Sequence, residues 1–416
     1  MRIAYLCCDR GVAPGGSNGA ATHVRELVNA LVDRGAEMKL LAARPTLEHA
    51  TATIACEVIE VDRDPLFQRL RRRAAPLGEG ASANGASEIH GLLLNHAVME
   101  ELETLATQWP FDVVFERQSL WSYAGLRFAR RHGLPFLLEV NAPLVAQQQE
   151  YRGLVNVPTA RALESILLGE ADRVIVPSKA LADYVVERGG RARRVRVIPC
   201  GVNRDVFFPT WRPIEAREDS SEFVIGFLGS LKQWHGVDIL LDAFRELSKK
   251  STAYRLLIIG DGPLRALVEA RCAADLSADR VTISGEVAYR DVPRWLERID
   301  VGLAPYPPLS LFYFSPLKVL EYAAAGVPIV ASASGQIAEI FTHETSALLH
   351  RPGDVAEIVE HVERLRASPA LRVRLAKTAR RAVKKTYTWD RLAAHVLAVA
   401  ETARRRSETD TGRGAR

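Results

Sequence analysis

The sequence predicts an α/β protein of two Rossmann-like, doubly wound domains facing a central cleft. Three observations carry this. Short, almost unbroken apolar runs alternate with amphipathic stretches of helix length, and the series restarts after residue 220. The chain also has 416 residues, more than one domain commonly holds. Unbroken apolar strands separated by helices indicate parallel sheets covered on both faces.

Taken in order, "IAYLC" (3–7) reads as a strand, "THVRELVNALVDRG" (22–35) as a helix stopped by glycine, and "MKLLAA" (38–43) as a strand. Further strands fall at 113–115, 135–140 and 173–178, with helices between them. Residues 74–90, small and polar, read as a mobile loop without assigned structure. The charged, proline-bearing stretch 205–222 reads as the join. The second series has strands at 223–230, 254–262, 281–285 and 300–306, and a helix at 236–250. The expected division is 1–204 and 205–388, then a helix at 389–405 packing back on the first domain, then a disordered polar tail at 406–416.

Composition narrows the function. The chain is 48% hydrophobic, enough for a large core, and its net charge of +5 is too small to demand nucleic acid. Five cysteines, an odd number, show no metal-knuckle or disulfide spacing, so a reducing cytoplasm is the simplest setting. The opening reads directly as a strand with no basic-then-apolar leader, and no run approaches the ~18 apolar residues of a membrane span. The basic run at 68–73 suggests transient contact with anionic lipid; a solvated helix face explains it equally well.

The most informative stretch is "FYFSPLKVLEYAAAGVPIVAS" (312–332). Ser315 suits an N-cap, Pro316 the first helical position, and Gly326 the stop. The resulting helix puts Leu317, Lys318 and Glu321 on one side. Its N-terminus favours an anion, and the rise to Glu321, roughly 7 Å, matches the reach from a diphosphate to its ribose. The loop "GSLKQWHG" (229–236) adds Gly229, Ser230 and Lys232 beside another helix start; alone it reads better as a surface turn, and together with the 315–321 helix it reads as part of a site. Glu139 and Asn141 close one apolar strand, and Glu116 and Arg117 close another. Each is a site candidate or an edge carboxylate paired with an arginine. The glycine loop at 9–23 lacks both the G-x-G-x-x-G and the G-x-x-x-x-G-K-[ST] order, which argues against a dehydrogenase. Asp62 and Asp64 have an Asp-x-Asp spacing in a charged segment away from any clear strand end, and no histidine pair has ligand spacing, so no metal site is expected.

These segments together resemble the retaining GT-B glycosyltransferases of family four, the glycosyl transferases group 1. The carriers are "SPLKVLEYAAAGVPIVAS" with "GQIAEI", then "GAATHVRELVNAL", "ADRVIVPSKALADY", "VIPCGVNRDVFFP", "FLGSLKQWHGVDILLDAF" and "IIGDGPLRALVEA". The resemblance implies that Glu321 binds the donor ribose, and that Ser315, Pro316, Leu317 and Lys318 meet the diphosphate with Lys232. It also implies that Gly19 closes over the donor and that Gly285 to Val287 contact the base. The pattern departs at Tyr313, where the family has its first glutamate, and at Ser230, His235 and Cys200.

The resemblance thus implies a cytoplasmic, metal-independent transferase. It would move a sugar from a nucleoside-diphosphate donor, of UDP or GDP type, to a saccharide, lipid-linked or small-molecule acceptor, with no other cofactor. Glu139, Asn141, Lys232 and Glu321 would carry catalysis, and Glu116, Arg117, Glu139 and Asn141 the acceptor. A GT-B-fold epimerase and a non-catalytic sugar-nucleotide binder remain as alternatives.

Overall fold

The computed structural model describes residues 1–16, 18–44, 53–61, 81–208, 221–275 and 278–414. The chain forms two compact units. The first holds Met1–Gly16, Ala20–Pro199 and Leu392–Arg416; the second holds Cys200–Arg391, and Asn18 and Gly19 group with it.

The first unit is a parallel sheet of β1 (Arg2–Cys7), β2 (Glu37–Ala42), β3 (Glu57–Glu60), β4 (Val113–Arg117), β5 (Phe136–Glu139), β6 (Arg173–Val176) and β7 (Val195–Val197). Their order is β3-β2-β1-β4-β5-β6-β7. The chain winds outward from β1 to β3, then returns to place β4 beside β1. Loops diverge at this reversal, and ligands of open α/β sheets sit beyond the carboxyl ends there. Register fixes which side chains meet: Cys7 pairs with Arg117, and Arg117 with Glu139. Because side chains alternate, Tyr5, Arg117 and Glu139 share one face, and Glu116 lies on the other.

The second unit repeats the plan with β8 (Phe223–Leu228), β9 (Tyr254–Ile259), β10 (Val281–Ile283), β11 (Val301–Ala304), β12 (Ile329–Ser332) and β13 (Leu348–His350), in the order β10-β9-β8-β11-β12-β13. Its core joins alternate β8 residues (Phe223, Ile225, Phe227) to Leu240, Leu241, Phe244 and Leu247 of the helix Val237–Lys250. The spacing of those four residues is one face of a 3.6-residue period.

β8, β9 and β10 each lead into a glycine with left-handed φ: Gly229 (127°), Gly260 (138°) and Gly285 (71°). A Cβ at Gly260 would stand 2.3 Å from the Gly229 carbonyl oxygen. Backbones therefore pack against one another at this end of the sheet, and main-chain groups form its surface.

Several expectations change. Residues 81–90 open the long helix Ala81–Gln108 and are not loop; the single glycines at 85 and 91 fall inside a pattern long enough to absorb them. The final helix runs Trp389–Gly414, so residues 406–414 continue it in place of a disordered tail; the first glycine past Trp389 is Gly412. The helix after Ser315 begins at Leu317 with Pro316, extended at φ −77° and ψ 101°, as its N-cap. Ser315 is not the cap: its Oγ accepts from the Cys200 amide at 2.9 Å. Gly326 ends that helix in left-handed geometry. Asp62, Asp64 and the basic run at 68–73 lie outside the described residues.

Gly260→Ala places a Cβ against backbone that has no rotamer to move. It should cost about 2–4 kcal/mol of stability, read as a lower urea midpoint with unchanged slope.

Candidate functional site

In the second unit the site grows from Lys318. The helix Leu317–Ala325 buries it, with Glu321 one turn on, and both are under 10% exposed. The Lys318 Nζ lies 4.0 Å from the Phe227 ring centroid and 5.4 Å from that of Tyr306. It has no hydrogen-bond partner among the described residues. Gly229 leaves the room: a Cβ there would stand 3.3 Å from Nζ. Burial pushes the ammonium down to about 7, against the pull of the Glu321 carboxylate. Two π faces and one carboxylate thus hold a desolvated cation that is short of acceptors.

The loop after β8 surrounds it. His235 offers Nδ1 to the Ser230 carbonyl at 2.6 Å. Burial, then the Lys318 and Lys232 cations, drive its pKa well below the ordinary histidine range, so the ring is neutral. Lys232, half-buried, sits 5.3 Å from the Trp234 ring. Tyr313 is buried with its ring 4.2 Å from Phe314, which stacks on Tyr306 at 6.0 Å. Gly285 bridges Gly260, and Val287 follows two residues on. The structure therefore brings Gly229, Ser230, Lys232, Lys318 and Glu321 into one neighbourhood. It adds Phe227, Tyr306 and Gly260, which the sequence alone does not single out: an aromatic at a strand position reads as core. Gly19 is the first residue of α1 (Gly19–Asp33).

In the first unit Glu139 is enclosed by partners. Its Oε1 lies 2.6 Å from His23 Nε2, its Oε2 accepts from the Tyr5 hydroxyl at 2.6 Å, and Arg117 Nη1 lies 3.8 Å away. Burial alone would raise its pKa; His23, Arg117 and the tyrosine together hold it at about 2. A carboxylate so committed is a poor base. Its geometry fixes the His23 ring. Asn141 carries a buried Nδ2 with no partner among the described residues. Glu116, expected on the acceptor, is fully buried on the opposite face. It accepts from Ser122, and burial raises it to about 7 against the hydrogen bonds from Ser122 and the Gly125 amide.

Beyond the carboxyl ends of β1, β4 and β5 lies a cavity of about 220 Å³, lined by Asp9, Asn84, Ser87, Trp121, Gln148 and Arg152 among others. At ~30 Å³ per water it has room for about seven waters, or one sugar-sized ring. Its wall is strained. Trp121 holds φ 76°, rare for so bulky a residue. Asn95 secures it by donating to the Trp121 carbonyl at 2.9 Å while accepting from the Tyr123 and Ala124 amides. These residues are scattered through helix and loop, so no local pattern marks them. Among the described residues no group of three or more His, Cys, Asp or Glu side chains could hold a metal ion, and no helix is long and apolar enough to cross a membrane.

Two family models match the chain: "Glycosyl transferase 4-like domain" over residues 18–201 and "Glycosyl transferases group 1" over residues 222–368. Among curated relatives, a 2-deoxystreptamine glucosyltransferase of Streptomyces kanamyceticus is 28% identical, covering 68% of this chain and 77% of that one. A D-inositol 3-phosphate glycosyltransferase of Jonesia denitrificans is 26% identical over 99% and 98% of the two chains. Similar solved structures include a sucrose-phosphate synthase from Thermosynechococcus elongatus, with TM-score 0.76, 20% identity and coverage of 97% and 98%. Another is Anabaena Alr3699/HepE in complex with UDP and glucose, with TM-score 0.72, 17% identity and coverage of 97% and 100%.

Glu139→Gln should lower stability at pH 7 by about 3 kcal/mol. The depressed acid stabilises the fold above its unfolded value of 4.5 and loses that contribution as pH falls toward about 2. The gap between wild type and variant, followed by denaturant melts, should therefore close over that window.

Proposed function

The chain belongs to the GT-B glycosyltransferase superfamily, and from that premise we propose that it transfers a sugar from a nucleoside-diphosphate donor held by the second unit to a small ring polyol held by the first. The observation carrying this reading is Lys318, a buried cation short of acceptors at the start of a helix. A diphosphate supplies what it lacks. Lys232 and the amides at the start of the helix Leu317–Ala325 add positive potential, and Glu321 takes the ribose hydroxyls. The base lies along the backbone near Gly285 and Val287, and Gly19 approaches the donor from the start of α1. Tyr313 takes the place of the family's first glutamate.

The reaction breaks the bond between the anomeric carbon and the diphosphate oxygen and forms one to an acceptor hydroxyl. Attack comes from the face the diphosphate leaves, so configuration is retained. The departing phosphate oxygen takes the hydroxyl proton. Donors preorganised where negative charge develops supply a few kcal/mol each in such sites. Glu139 acts as a positioning residue through His23, with Arg117 beside it.

The cavity of about 220 Å³ sets the acceptor class. Its lining mixes amide and hydroxyl side chains with the charged Asp9, Arg10, Glu88 and Arg152 and the Trp121 indole, and it admits one ring, which suits a cyclitol or a terminal sugar. The relatives above are named for 2-deoxystreptamine and for inositol 3-phosphate, both six-membered ring polyols. The setting is cytoplasmic, with any membrane contact peripheral.

Two tests follow. Glu321→Ala and Lys318→Met should each weaken donor binding, measured by calorimetry, by about tenfold or more, the loss of one or two good polar contacts. Lys318→Met should also raise the melting temperature at pH 7, because it removes a desolvated cation. Wild-type donor binding above pH 7 should take up a proton, seen as a buffer-dependent enthalpy. Unchanged donor affinity in both variants removes Lys318 and Glu321 from the site. Separately, Gln148→Leu should raise KM for the acceptor severalfold and leave donor affinity untouched. An equal effect on both substrates would separate the cavity from the acceptor.

A further inference from the structure

The first unit carries a second cavity, of about 560 Å³, at the other end of its sheet. It is lined by Arg130, Arg173, Arg193, Arg194 and Arg406, with Asp172 as the carboxylate among the lining residues. Arg173 opens β6, Arg194 immediately precedes β7, and Arg130 lies in the last turn of the helix Ala124–His132, shortly before β5. These are the amino ends of β5, β6 and β7, and the carboxyl end of β5 carries Glu139. The final helix supplies Arg406, fixed by its neighbour Ser407, whose hydroxyl donates to the Gly133 carbonyl at 2.8 Å.

Structural duties account for part of this cluster. Arg130 donates to the Glu170 carbonyl, and Arg194 donates to the Glu170 and Ala171 carbonyls, so both cap the helix Val157–Glu170. Arg173 donates to the Asp172 carbonyl at 2.6 Å. The Asp172 Oδ2 already accepts from Arg130 at 3.0 Å and from the Phe136 amide at 2.9 Å. Arg193 and Arg406 line the same cavity. A guanidinium has five N–H donors, and these bonds use only some of them. Arg173 is 3% exposed. Its burial, then repulsion from Arg406 and Arg196, lowers its pKa, so its cation is held at a cost.

We propose that this cavity is an anion site for a phosphate-bearing group, separate from the reacting end of the molecule. Planar guanidinium forks match phosphate oxygens in pairs, and a dianion relieves the mutual repulsion of the arginines. The same chemistry serves a free phosphorylated metabolite or the phosphate of a lipid headgroup.

Arginine-selective modification by phenylglyoxal, mapped by peptide mass spectrometry on the full chain, tests this at single residues. Its readout is independent of donor binding, for which the proposed contacts are lysines. The arms are inorganic phosphate, pyrophosphate, phosphatidylcholine vesicles with and without phosphatidic acid, and sodium chloride at matched ionic strength. Arg193 and Arg406 should be modified severalfold more slowly with phosphate or pyrophosphate, which identifies a soluble ligand, or with phosphatidic acid vesicles alone, which identifies a headgroup. Arg245 and Arg351, in the second unit, should not change. The double variant Arg193→Glu, Arg406→Glu should lose protection of Arg130 and Arg194 and keep transfer activity. The milder Arg193→Gln should weaken protection if the double variant does not fold. Equal rates in every arm, or equal protection by sodium chloride, overturns the proposal.

Discussion

The second unit is organised around one electrostatic problem: an ammonium group taken out of water without enough acceptors. Burying a cation costs several kcal/mol unless something compensates. Here the compensation is partial and spread over the Phe227 and Tyr306 faces and the Glu321 carboxylate one turn away. Each surrounding feature follows from that need. Gly229 must lack a side chain to admit the lysine stem, and Gly260 must lack one to admit Gly229. His235 must be neutral, since a third cation beside Lys318 and Lys232 would raise the cost further. A cation held this way is kept at a cost that a neighbouring negative charge would offset. The pattern departs at 235 and 313, and both residues found there, the neutral His235 and Tyr313, are uncharged.

The first unit solves its own electrostatics differently. Glu139 and Glu116 stand on adjacent strands, one residue out of step, and so face opposite sides of the sheet. One is surrounded by donors and cations and held near 2; the other meets a hydroxyl and an amide and rises to about 7. The same side chain, one pleat apart, becomes a fixed charge or a near-neutral acid.

Much of this was legible in the sequence. The two doubly wound series were, because buried parallel strands are unbroken apolar runs. β3, β7 and β13 were not: they are three or four residues long, and "EVIE" and "VRV" carry charge on exposed edges of the sheet. The surroundings of Lys318 were legible through glycine, proline and lysine punctuation around 312–332, since backbone requirements leave a local signature. The aromatic cradle of Lys318 was not, because Phe227 and Tyr306 look like any core residue. The ring-sized cavity was hidden for a related reason: Asp9, Asn84 and Gln148 meet only through the winding of the chain. Glu116 and Glu139 look alike on paper, and the pleat alone separates them.

The left-handed turn at Trp121 has one more consequence. A Cβ at Gly91 would stand 2.9 Å from that indole, so the absence of a single methyl group sets where the wall stands. Asn95 pins the Trp121 backbone at this turn. Gly91 itself lines the chamber, so a larger residue 91 must take its room from the indole or from the chamber. The width of this chamber is thus open to adjustment in steps of one carbon, from a helix position that carries no chemistry of its own.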